Sequence, residues 1–286
     1  MKYFSTFSGI GGFEVGIGDK GECVGFSEIN KPAIAVYKYH FPKHENFSDI
    51  TKIVTADLPD FDLFVGGFPC QSFSIAGKRG GFQDTRGTLF FEIARIAKVK
   101  RPAYLLLENV KGLLNHDKGN TFATIISTLD ELGYDCEWHV NNSKNFGVPQ
   151  NRERVFIIGY LRGQPRPKVF PIGRKTKSIA RCINRKQIKI LGLYCDENRI
   201  YDINNIFPTC SVTTCGLVKI QQRDGRVRRL MPIETERLQA FPDSWTKFGI
   251  NEKGEKVEIF DSQRYKMCGN AVTTNVVRHI INQMFP

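Results

Sequence analysis

Short apolar runs alternate with helix-like segments over roughly the first half of the chain. A continuous apolar run predicts a buried strand, and apolar positions that recur every three or four residues predict an amphipathic helix. Strands are predicted at residues 2–7, 23–27, 61–65, 104–107 and 155–158, and helices at residues 13–17, 31–40, 88–98 and 121–132. This alternation is typical of the α/β class with a doubly wound, mostly parallel sheet.

The pattern changes after residue 163. As far as residue 230 the chain is basic, contains scattered prolines and has no long helical repeat, which predicts a small unit of short strands and loops. Helical patterns return at residues 233–241 and 275–284, and the second of these is expected to pack back on the first unit. We therefore predict one large domain formed by residues 1–163 and 264–286, with a small domain of residues 164–263 inserted in it.

The charge of the chain is concentrated in the same region. The chain has 41 Lys and Arg residues against 29 Asp and Glu residues, a formal net charge of +12. Residues 161–230 contain 16 basic and 4 acidic residues and so account for the whole excess, whereas the remainder is balanced. A one-signed segment of this kind indicates contact with a phosphate backbone. A membrane surface or an acidic protein is the alternative partner.

Cysteines, histidines and apolar runs argue against several classes of protein. The eight cysteines include no Cys-x-x-Cys pair, which argues against a zinc site or a dense disulfide framework and favours a reducing, cytoplasmic location. The chain has five histidines, and we expect no bound metal. No apolar run reaches the roughly 18 residues that a membrane span requires.

The turn after the first predicted strand has the composition of a ligand-binding loop. It is Phe7-Ser8-Gly9-Ile10-Gly11-Gly12 and leads into a predicted helix. Glycines at this point let the backbone approach a cofactor and bring a helix N-terminus to it. Glu28 follows the second strand, where a carboxylate can bind ribose hydroxyls. Because the dinucleotide pattern G-x-G-x-x-G is absent, we expect a nucleoside cofactor without a pyrophosphate. A glycine turn that serves only packing is the alternative.

A cysteine and a glutamate follow two other predicted strands. Cys70 lies in Gly67-Phe68-Pro69-Cys70-Gln71, just after the third strand, and a glycine-rich basic loop continues to residue 87. Glu108 follows the fourth strand. Both side chains can therefore face one cleft, where a thiolate is a nucleophile and a carboxyl is a proton donor. A buried structural cysteine and a structural ion pair are the alternatives.

Two arginines precede the last strand of the first unit. Arg152 and Arg154 lie two residues apart in Gln150-Asn151-Arg152-Glu153-Arg154, so on an extended segment they point the same way. Together they can hold a carboxylate, a phosphate or a polar base edge. A surface ladder of ion pairs with Glu153 is the alternative.

Taken in order, these motifs resemble those of the cytosine-C5 DNA methyltransferases of bacteria and phages. The resemblance covers both ends of the chain and most of its middle. Beyond the motifs above it includes Asp49-Ile50, Arg86-Gly87-Thr88-Leu89, Glu108-Asn109-Val110, residues 229–245 and Gly269-Asn270-Ala271-Val272. It implies a Rossmann-like, S-adenosylmethionine-dependent methyltransferase fold, in which the inserted domain is a target-recognition domain that reads DNA.

The resemblance also implies roles for individual residues. The cofactor S-adenosyl-L-methionine would be surrounded by Phe7, Gly9, Gly11, Gly12, Glu28, Ile29, Asp49, Ile50, Pro69, Leu89, Asn270 and Ala271. Catalysis would rest on Cys70, Glu108, Arg152 and Arg154. The cysteine would attack C6 of cytosine, the glutamate would protonate N3, and the arginines would orient the base. DNA would be bound by Ser74, Lys78, Arg79, Arg86 and Thr209, although the family normally has an aliphatic residue where Cys210 follows this threonine.

The function that the resemblance implies is that of a DNA (cytosine-5-)-methyltransferase, acting as a monomer in the cytoplasm. It would flip a cytosine out of double-stranded DNA at a short specific sequence. It would protect that DNA from a partner restriction endonuclease, and a solitary or phage-protective role is equally compatible. A transfer-RNA cytosine-5 methyltransferase is one alternative, although the Cys-Phe-Thr triplet of that class is absent from this chain. A catalytically silent DNA-binding relative is the other.

Overall fold

The structure is a computed structural model that describes residues 1–69, 89–170, 200–202, 207–209, 218–221 and 226–286. The strands in these ranges are β1 (Lys2–Thr6), β2 (Glu22–Ser27), β3 (Leu63–Gly67), β4 (Tyr104–Val110), β5 (Tyr134–Asn142), β6 (Glu153–Leu161), β7 (Ile200–Asp202), β8 (Lys219–Gln221), β9 (Val227–Arg229), β10 (Phe248–Ile250) and β11 (Lys256–Glu258). The helices are α1 (Gly12–Ile17), α2 (Lys31–His40), α3 (Leu89–Lys100), α4 (Asn120–Glu131), α5 (Pro232–Leu238), α6 (Asp261–Asn270) and α7 (Thr274–Met284). None of the helices in these ranges is long and apolar enough to cross a membrane.

Six strands form the central sheet, in the order β2-β1-β3-β4-β6-β5. The first four run parallel to one another, whereas β6 is antiparallel to both β4 and β5. The predicted α/β class is therefore confirmed, with a mixed sheet. The chain forms β2 on one side of β1 and β3 on the other. This switch of direction opens a crevice at the carboxyl ends of the two central strands.

Alternate residues of the central strands face two helical layers. Leu105 and Leu107 of β4 belong to the apolar cluster that α3 and α4 cover. Leu106, which lies between them, belongs to the cluster that α1 and α7 cover. All three side chains are fully buried. Because a strand sends successive side chains to opposite faces, strands covered on both faces appear in the sequence as continuous apolar runs.

The helices and strands predicted for the first unit are present with shifted ends. Phe7 has a left-handed φ of 52°, so β1 ends at Thr6 rather than at residue 7. The third strand occupies Leu63–Gly67 instead of residues 61–65. Three features were not predicted from the sequence: the edge strand β5, the hairpin of β10 and β11, and helix α6.

The segment between α5 and α6 packs on α2 and on the turn after β1. Trp245 donates from its indole N–H to the carbonyl of Ile10 at 2.8 Å, and its ring stacks on that of His40 with centroids 3.5 Å apart. A Cβ at Gly249 would lie only 2.9 Å from the Cβ of Ala35, so β10 lies directly against α2. The domain boundary at residue 263 stays a prediction. From these contacts we propose a different boundary, at which the chain returns to the large domain before Trp245.

A small sheet of the order β7-β8-β9 lies in the region predicted to read DNA. Its apolar core includes Leu238 of α5. Phe207 joins this region to the segment that leads into β6. The N–H of Phe207 donates to the carbonyl of Pro149 at 2.7 Å, and the N–H of Asn151 donates to the carbonyl of Phe207 at 2.8 Å.

Candidate active site

A cavity of about 470 Å³ lies at the carboxyl ends of β1, β3 and β4, with α6 as a further wall. Its volume is within the range of small-molecule sites. It is lined by ten of the residues predicted from the sequence: Phe7, Gly9, Gly12, Glu28, Pro69, Glu108, Arg152, Arg154, Asn270 and Ala271. The lining does not include five described residues that were predicted to surround the cofactor: Gly11, Ile29, Asp49, Ile50 and Leu89.

Left-handed backbone in the turn after β1 brings the main chain to the cavity. Phe7, Gly9 and Gly11 have φ angles of 52°, 55° and 87°. A Cβ at Gly12 would lie 2.7 Å from a methyl carbon of Val272, so this last residue of the turn packs directly on the chain that follows α6. The glycines of this turn therefore serve close packing as well as access of the backbone to the cavity.

The Glu28 carboxylate is held by three backbone N–H groups. Its Oε2 accepts from Gly9 at 2.8 Å, and its Oε1 accepts from Ile29 and from Asn30, each at 2.8 Å. A carboxylate has about four acceptor sites, so capacity remains for a ligand hydroxyl in the cavity. Because Gly9 belongs to the glycine turn, its hydrogen bond lets the turn fix the orientation of the Glu28 carboxylate.

The predicted cofactor residues outside the lining have other surroundings. The side chain of Ile29 is 66% exposed. The carboxylate of Asp49 accepts from the hydroxyl and the N–H of Thr51 at 2.8 and 3.0 Å, and these hydrogen bonds lower its pKa. Ile50 is buried in the cluster beneath α3, and Leu89 packs against the same cluster. Their contacts with a cofactor stay predictions.

Glu108 and Arg154 form an ion pair in the wall of the cavity. The Arg154 Nε lies 3.0 Å from the Glu108 Oε1, and the two side chains are only 15% and 12% exposed. Burial raises the pKa of the Glu108 carboxyl, although the charges of Arg154 and Arg152 act in the opposite direction. Gly67 leaves room for the acid, because a Cβ there would lie 3.1 Å from its Oε2. This carboxyl therefore retains a proton to higher pH than an ordinary glutamate.

Asn109 fixes the chain that leads to Cys70. Its Nδ2 donates to the carbonyl of Phe68 at 2.8 Å, and its Oδ1 accepts from the N–H of Val110 at 2.8 Å. The end of β4 is thereby tied to the residues just before the cysteine. Pro69 is the last described residue of this stretch. The other predicted residues that follow lie outside the described ranges: Cys70, Ser74, Lys78, Arg79 and Arg86.

Arg152 and Thr209 have backbone partners. Arg152 lines the cavity but is 1% exposed, and its Nη2 donates to the carbonyls of Gly269 and Ala271 at 3.0 and 2.8 Å. The hydroxyl of Thr209 donates to the carbonyl of Asn151 at 2.7 Å and lies away from the cavity lining. The two arginines therefore have different partners, although both reach the same cavity.

Helix α6 supplies cavity residues that were not predicted from the sequence. Gln263, Lys266 and Met267 line the cavity together with Asn270, which was predicted. Their spacing of i, i+3, i+4 and i+7 puts them on one face of a helix. That spacing is the signal that could have revealed them, but the face is mostly polar and gives no apolar stripe.

These features define a class of protein. A glycine turn and a ribose-competent carboxylate at the switch point of an α/β sheet are typical of nucleoside-cofactor sites. A carboxyl with a raised pKa in the same cavity has the properties of a candidate general acid. The fold and the site are thus typical of an enzyme that uses a nucleoside cofactor.

Comparison with known proteins identifies the family. The sequence profile of the C-5 cytosine-specific DNA methylases matches residues 1–209 and 173–286. The chain is 38% identical to the Type II methyltransferase M1.ScrFI of Lactococcus lactis subsp. cremoris over 99% of this chain and 77% of that protein. It is 33% identical to the Type II methyltransferase M.HhaI of Haemophilus parahaemolyticus over 98% and 93% of the two chains. The solved structure of the S. pombe Dnmt2 methyltransferase shares the fold, with a TM-score of 0.75, 19% identity, and coverage of 98% and 97%.

The chain belongs to the C-5 cytosine-specific DNA methylase family. It is a DNA (cytosine-5-)-methyltransferase with the fold of the S-adenosylmethionine-dependent methyltransferases, as its motifs predicted. Among the described residues, no group of three or more His, Cys, Asp or Glu side chains is arranged to hold a metal ion.

Proposed function

We propose that this enzyme methylates C5 of a cytosine that is flipped out of double-stranded DNA at a specific short sequence. The observation that carries the proposal is the Glu108–Arg154 pair, which lines the same cavity as the glycine turn and Pro69. Cys70 is the next residue of the chain after Pro69. An acid, a cofactor pocket and the approach to a thiol thus converge on one cavity.

The residues of the cavity fit S-adenosyl-L-methionine. Glu28 has acceptor capacity left for a ribose hydroxyl, and the backbone of the glycine turn allows close approach. Phe7, Pro69 and Asn270 complete the proposed pocket. When bound, this group supplies an electrophilic methyl on its sulfonium. Asp49 and Ile50, which the family resemblance assigns to the adenine, stay predictions.

The proposed chemistry uses Cys70 and Glu108 together. C5 of cytosine is too electron-poor to attack a methyl group unaided. The Cys70 thiolate forms a bond to C6 while Glu108 delivers a proton to N3, and C5 becomes an enamine-like nucleophile. C5 then takes the methyl group, a base removes the proton on C5, the bond to Cys70 breaks with its electron pair returning to sulfur, and the N3 proton returns to the Glu108 carboxylate. Arg154, whose Nε lies 3.0 Å from the Glu108 Oε1, is proposed to hold the carboxyl in place for this transfer.

DNA is the proposed substrate for two reasons. It contains cytosine, whose C5 atom suits this chemistry, and its negative charge complements the positive charge of the chain. Inside a duplex the cytosine is inaccessible, so it must flip out at a cost of a few kcal/mol. Residues 161–230 carry the whole net positive charge and are proposed to bind the phosphate backbone. Ser74, Lys78, Arg79, Arg86 and Thr209 stay the predicted DNA contacts.

The proposed biological role is protection of host DNA from a restriction endonuclease that shares the recognition sequence. The support is the naming of relatives with 33–38% identity as Type II methyltransferases. The DNA methylase profile and these relatives favour DNA over transfer RNA as the substrate. We propose that the enzyme acts as a monomer in the cytoplasm and forms no stable complex with the endonuclease.

Methylation of a mixed-sequence plasmid tests the proposal. The plasmid and, in a parallel reaction, transfer RNA are incubated with the enzyme and methyl-labelled S-adenosylmethionine, and the DNA product is sequenced after bisulfite treatment. We expect label at C5 of cytosine in one repeated context. Label on transfer RNA but not on DNA would support the RNA alternative, and label on neither would contradict the proposed activity.

A further inference from the structure

Arg152 is one of the largest fully buried side chains in the described part of the molecule. It lies immediately before β6 and reaches the end of α6, more than a hundred residues further along the chain. Its Nη2 donates to the carbonyls of Gly269 and Ala271 at 3.0 and 2.8 Å. These two carbonyls flank Asn270, and Asn270 and Ala271 both line the cavity.

We propose that Arg152 is a positioning residue that fixes the turn between α6 and α7 as a wall of the cofactor cavity. It would therefore set the affinity for the cofactor rather than the orientation of the base. The inference rests on the proposed function for the identity of that cofactor.

The position of the two carbonyls explains why an arginine is required. α6 ends at Asn270, and Ala271 continues in an extended conformation with ψ of 150°. The last carbonyls of a helix have no partner within the helix. Both hydrogen bonds come from Nη2, and the planar guanidinium holds the two N–H groups of that nitrogen in a fixed fork, so they can hold two acceptors at a set spacing. A lysine ammonium is a point donor on a flexible stem and cannot impose that spacing.

A second contact holds the same turn to the same part of the chain. The hydroxyl of Thr273 donates to the side-chain Oε1 of Gln239 at 2.7 Å and lies 2.8 Å from the hydroxyl of Ser143. The N–H of Ser143 donates in turn to the carbonyl of Arg152 at 2.9 Å. The turn between α6 and α7 is thus held on both sides of its cavity-lining residues.

Arg154 differs from Arg152 in the wall that it serves. Its Nε lies 3.0 Å from the Glu108 carboxylate on β4. Arg152 instead contacts the chain on the α6 side of the cavity. The two arginines of this short motif therefore have different proposed roles. Arg154 holds the acid, and Arg152 holds the wall of the cofactor cavity.

The test measures binding of S-adenosylhomocysteine to the whole protein without DNA, by isothermal titration calorimetry. Arg152→Lys keeps the positive charge beside Glu108 but loses the fork, and we expect the dissociation constant to rise at least tenfold. Arg264→Lys is the matched control, because Arg264 is a buried arginine on α6 whose described donors go to Thr246, Glu236 and Asp261. Its dissociation constant is expected to change less than twofold.

If Arg152 instead orients the base, the variant should lose turnover and not affinity for the cofactor. Arg152→Lys would then keep wild-type affinity for S-adenosylhomocysteine and would lose turnover at saturating cofactor, and this result would overturn the inference. An equal loss of affinity in Arg264→Lys would also overturn it, because the effect would then belong to any buried arginine of this region.

A second variant keeps the inference testable if Arg152→Lys does not fold. Thr273→Val is isosteric, removes only the hydroxyl bonds of the same turn, and is expected to raise the dissociation constant about threefold. Unchanged affinity would overturn the inference. The proposed function is tested separately by methyl transfer from the wild-type enzyme to plasmid DNA. If the wild-type enzyme methylates DNA but the variants keep their affinity for S-adenosylhomocysteine, only the inference is rejected. If the variants lose affinity but the wild-type enzyme does not methylate DNA, only the proposed function is rejected.

Discussion

Two glutamate–arginine pairs in this protein have the same separation and different surroundings. Glu108 and Arg154 approach to 3.0 Å, and so do Glu236 and Arg264. The first pair lines the cavity, whereas the second is enclosed between α5 and α6, where the Glu236 side chain has no exposed surface. The difference lies in the neighbours of each pair and not in the pair itself.

The Glu236–Arg264 pair is part of a buried hydrogen-bond network. The Glu236 Oε1 also accepts from the N–H of Thr246 at 3.0 Å and from the Thr246 hydroxyl. Arg264 donates from Nε to that hydroxyl at 3.1 Å and from Nη1 to Asp261 at 3.2 Å. The network joins α5, α6 and the chain between them, so we interpret it as structural.

The Glu108–Arg154 pair instead faces open volume. Burial raises the pKa of Glu108, and the cavity beside it has room for a reacting group. A carboxyl that holds its proton next to an accessible cavity can deliver that proton. A buried ion pair is thus weak evidence for function on its geometry alone, and becomes strong evidence when an accessible cavity and a raised pKa accompany it.

The largest effect is expected for Glu108→Gln. Glutamine keeps the shape of the side chain but cannot donate a proton as an acid, so turnover should fall by about 10²–10⁴-fold. Single-turnover methyl transfer at saturating DNA and cofactor measures this loss. Thermal unfolding should change less than in the Glu236 variant below, because the cavity gives Arg154 access to water. Near-normal turnover would remove Glu108 as the acid.

The second effect is expected for Glu236→Gln. Glu236→Gln would leave Arg264 with only the exposed Asp261 as a charged partner, and breaking a buried pair in this way costs up to about 3–5 kcal/mol. We expect the free energy of unfolding in urea to fall by that amount, while turnover per folded molecule stays at the wild-type level. Loss of turnover with unchanged stability would reverse the roles that we assign to the two pairs.

The third effect concerns the pH dependence of the reaction. Glu108 must be protonated to act as the acid, and its raised pKa extends the protonated state towards neutral pH. Above that pKa, kcat/KM should fall by about tenfold for each pH unit, because the protonated fraction falls by that factor. A pH profile of methyl transfer checks this. The Glu108→Gln variant is the control, and should lose this limb of the profile.

The smallest effect is expected at Glu14, a third buried glutamate. Tyr37 donates to its Oε1 at 3.1 Å, no ion pair in the described ranges includes it, and burial raises its pKa to about 7. The unfolded chain loses this proton near pH 4.3. Between about pH 4.3 and 7 the folded state therefore binds a proton that the unfolded state lacks, and stability falls as the pH rises.

Glu14→Gln is uncharged at every pH and should remove this slope. Urea unfolding at pH 5 and at pH 8 measures it in the wild type and in the variant. An identical decrease of stability in both proteins would show that Glu14 is not the group responsible.

The predictable part of the site follows from the sheet. Glu28 and Glu108 are polar residues at the ends of apolar runs, and parallel strands bring such ends to one edge. The glycine turn is local and needs no long-range information. For these residues a strand pattern was enough to place them near one another.

The rest depends on contacts that the local pattern does not encode. The face of α6 with Gln263, Lys266 and Asn270 is polar because it lines a cavity, so the helix has no apolar stripe. β5 is an edge strand on which Trp138 is 46% exposed, and it lacks a continuous apolar run. Arg152 lies before β6, where the two-residue period of a strand does not apply, and its acceptors are distant in sequence.

The most direct test of the account is covalent trapping on DNA that contains 5-fluorocytosine. Fluorine replaces the proton that must leave C5, so the bond between Cys70 and C6 cannot break after methyl transfer. We predict a protein–DNA adduct on a denaturing gel for the wild-type enzyme with S-adenosylmethionine, slower adduct formation for Glu108→Gln, and none for Cys70→Ser. An adduct with Cys70→Ser, or methyl transfer to ordinary DNA without any wild-type adduct, would contradict the claim that Cys70 and Glu108 form one active site.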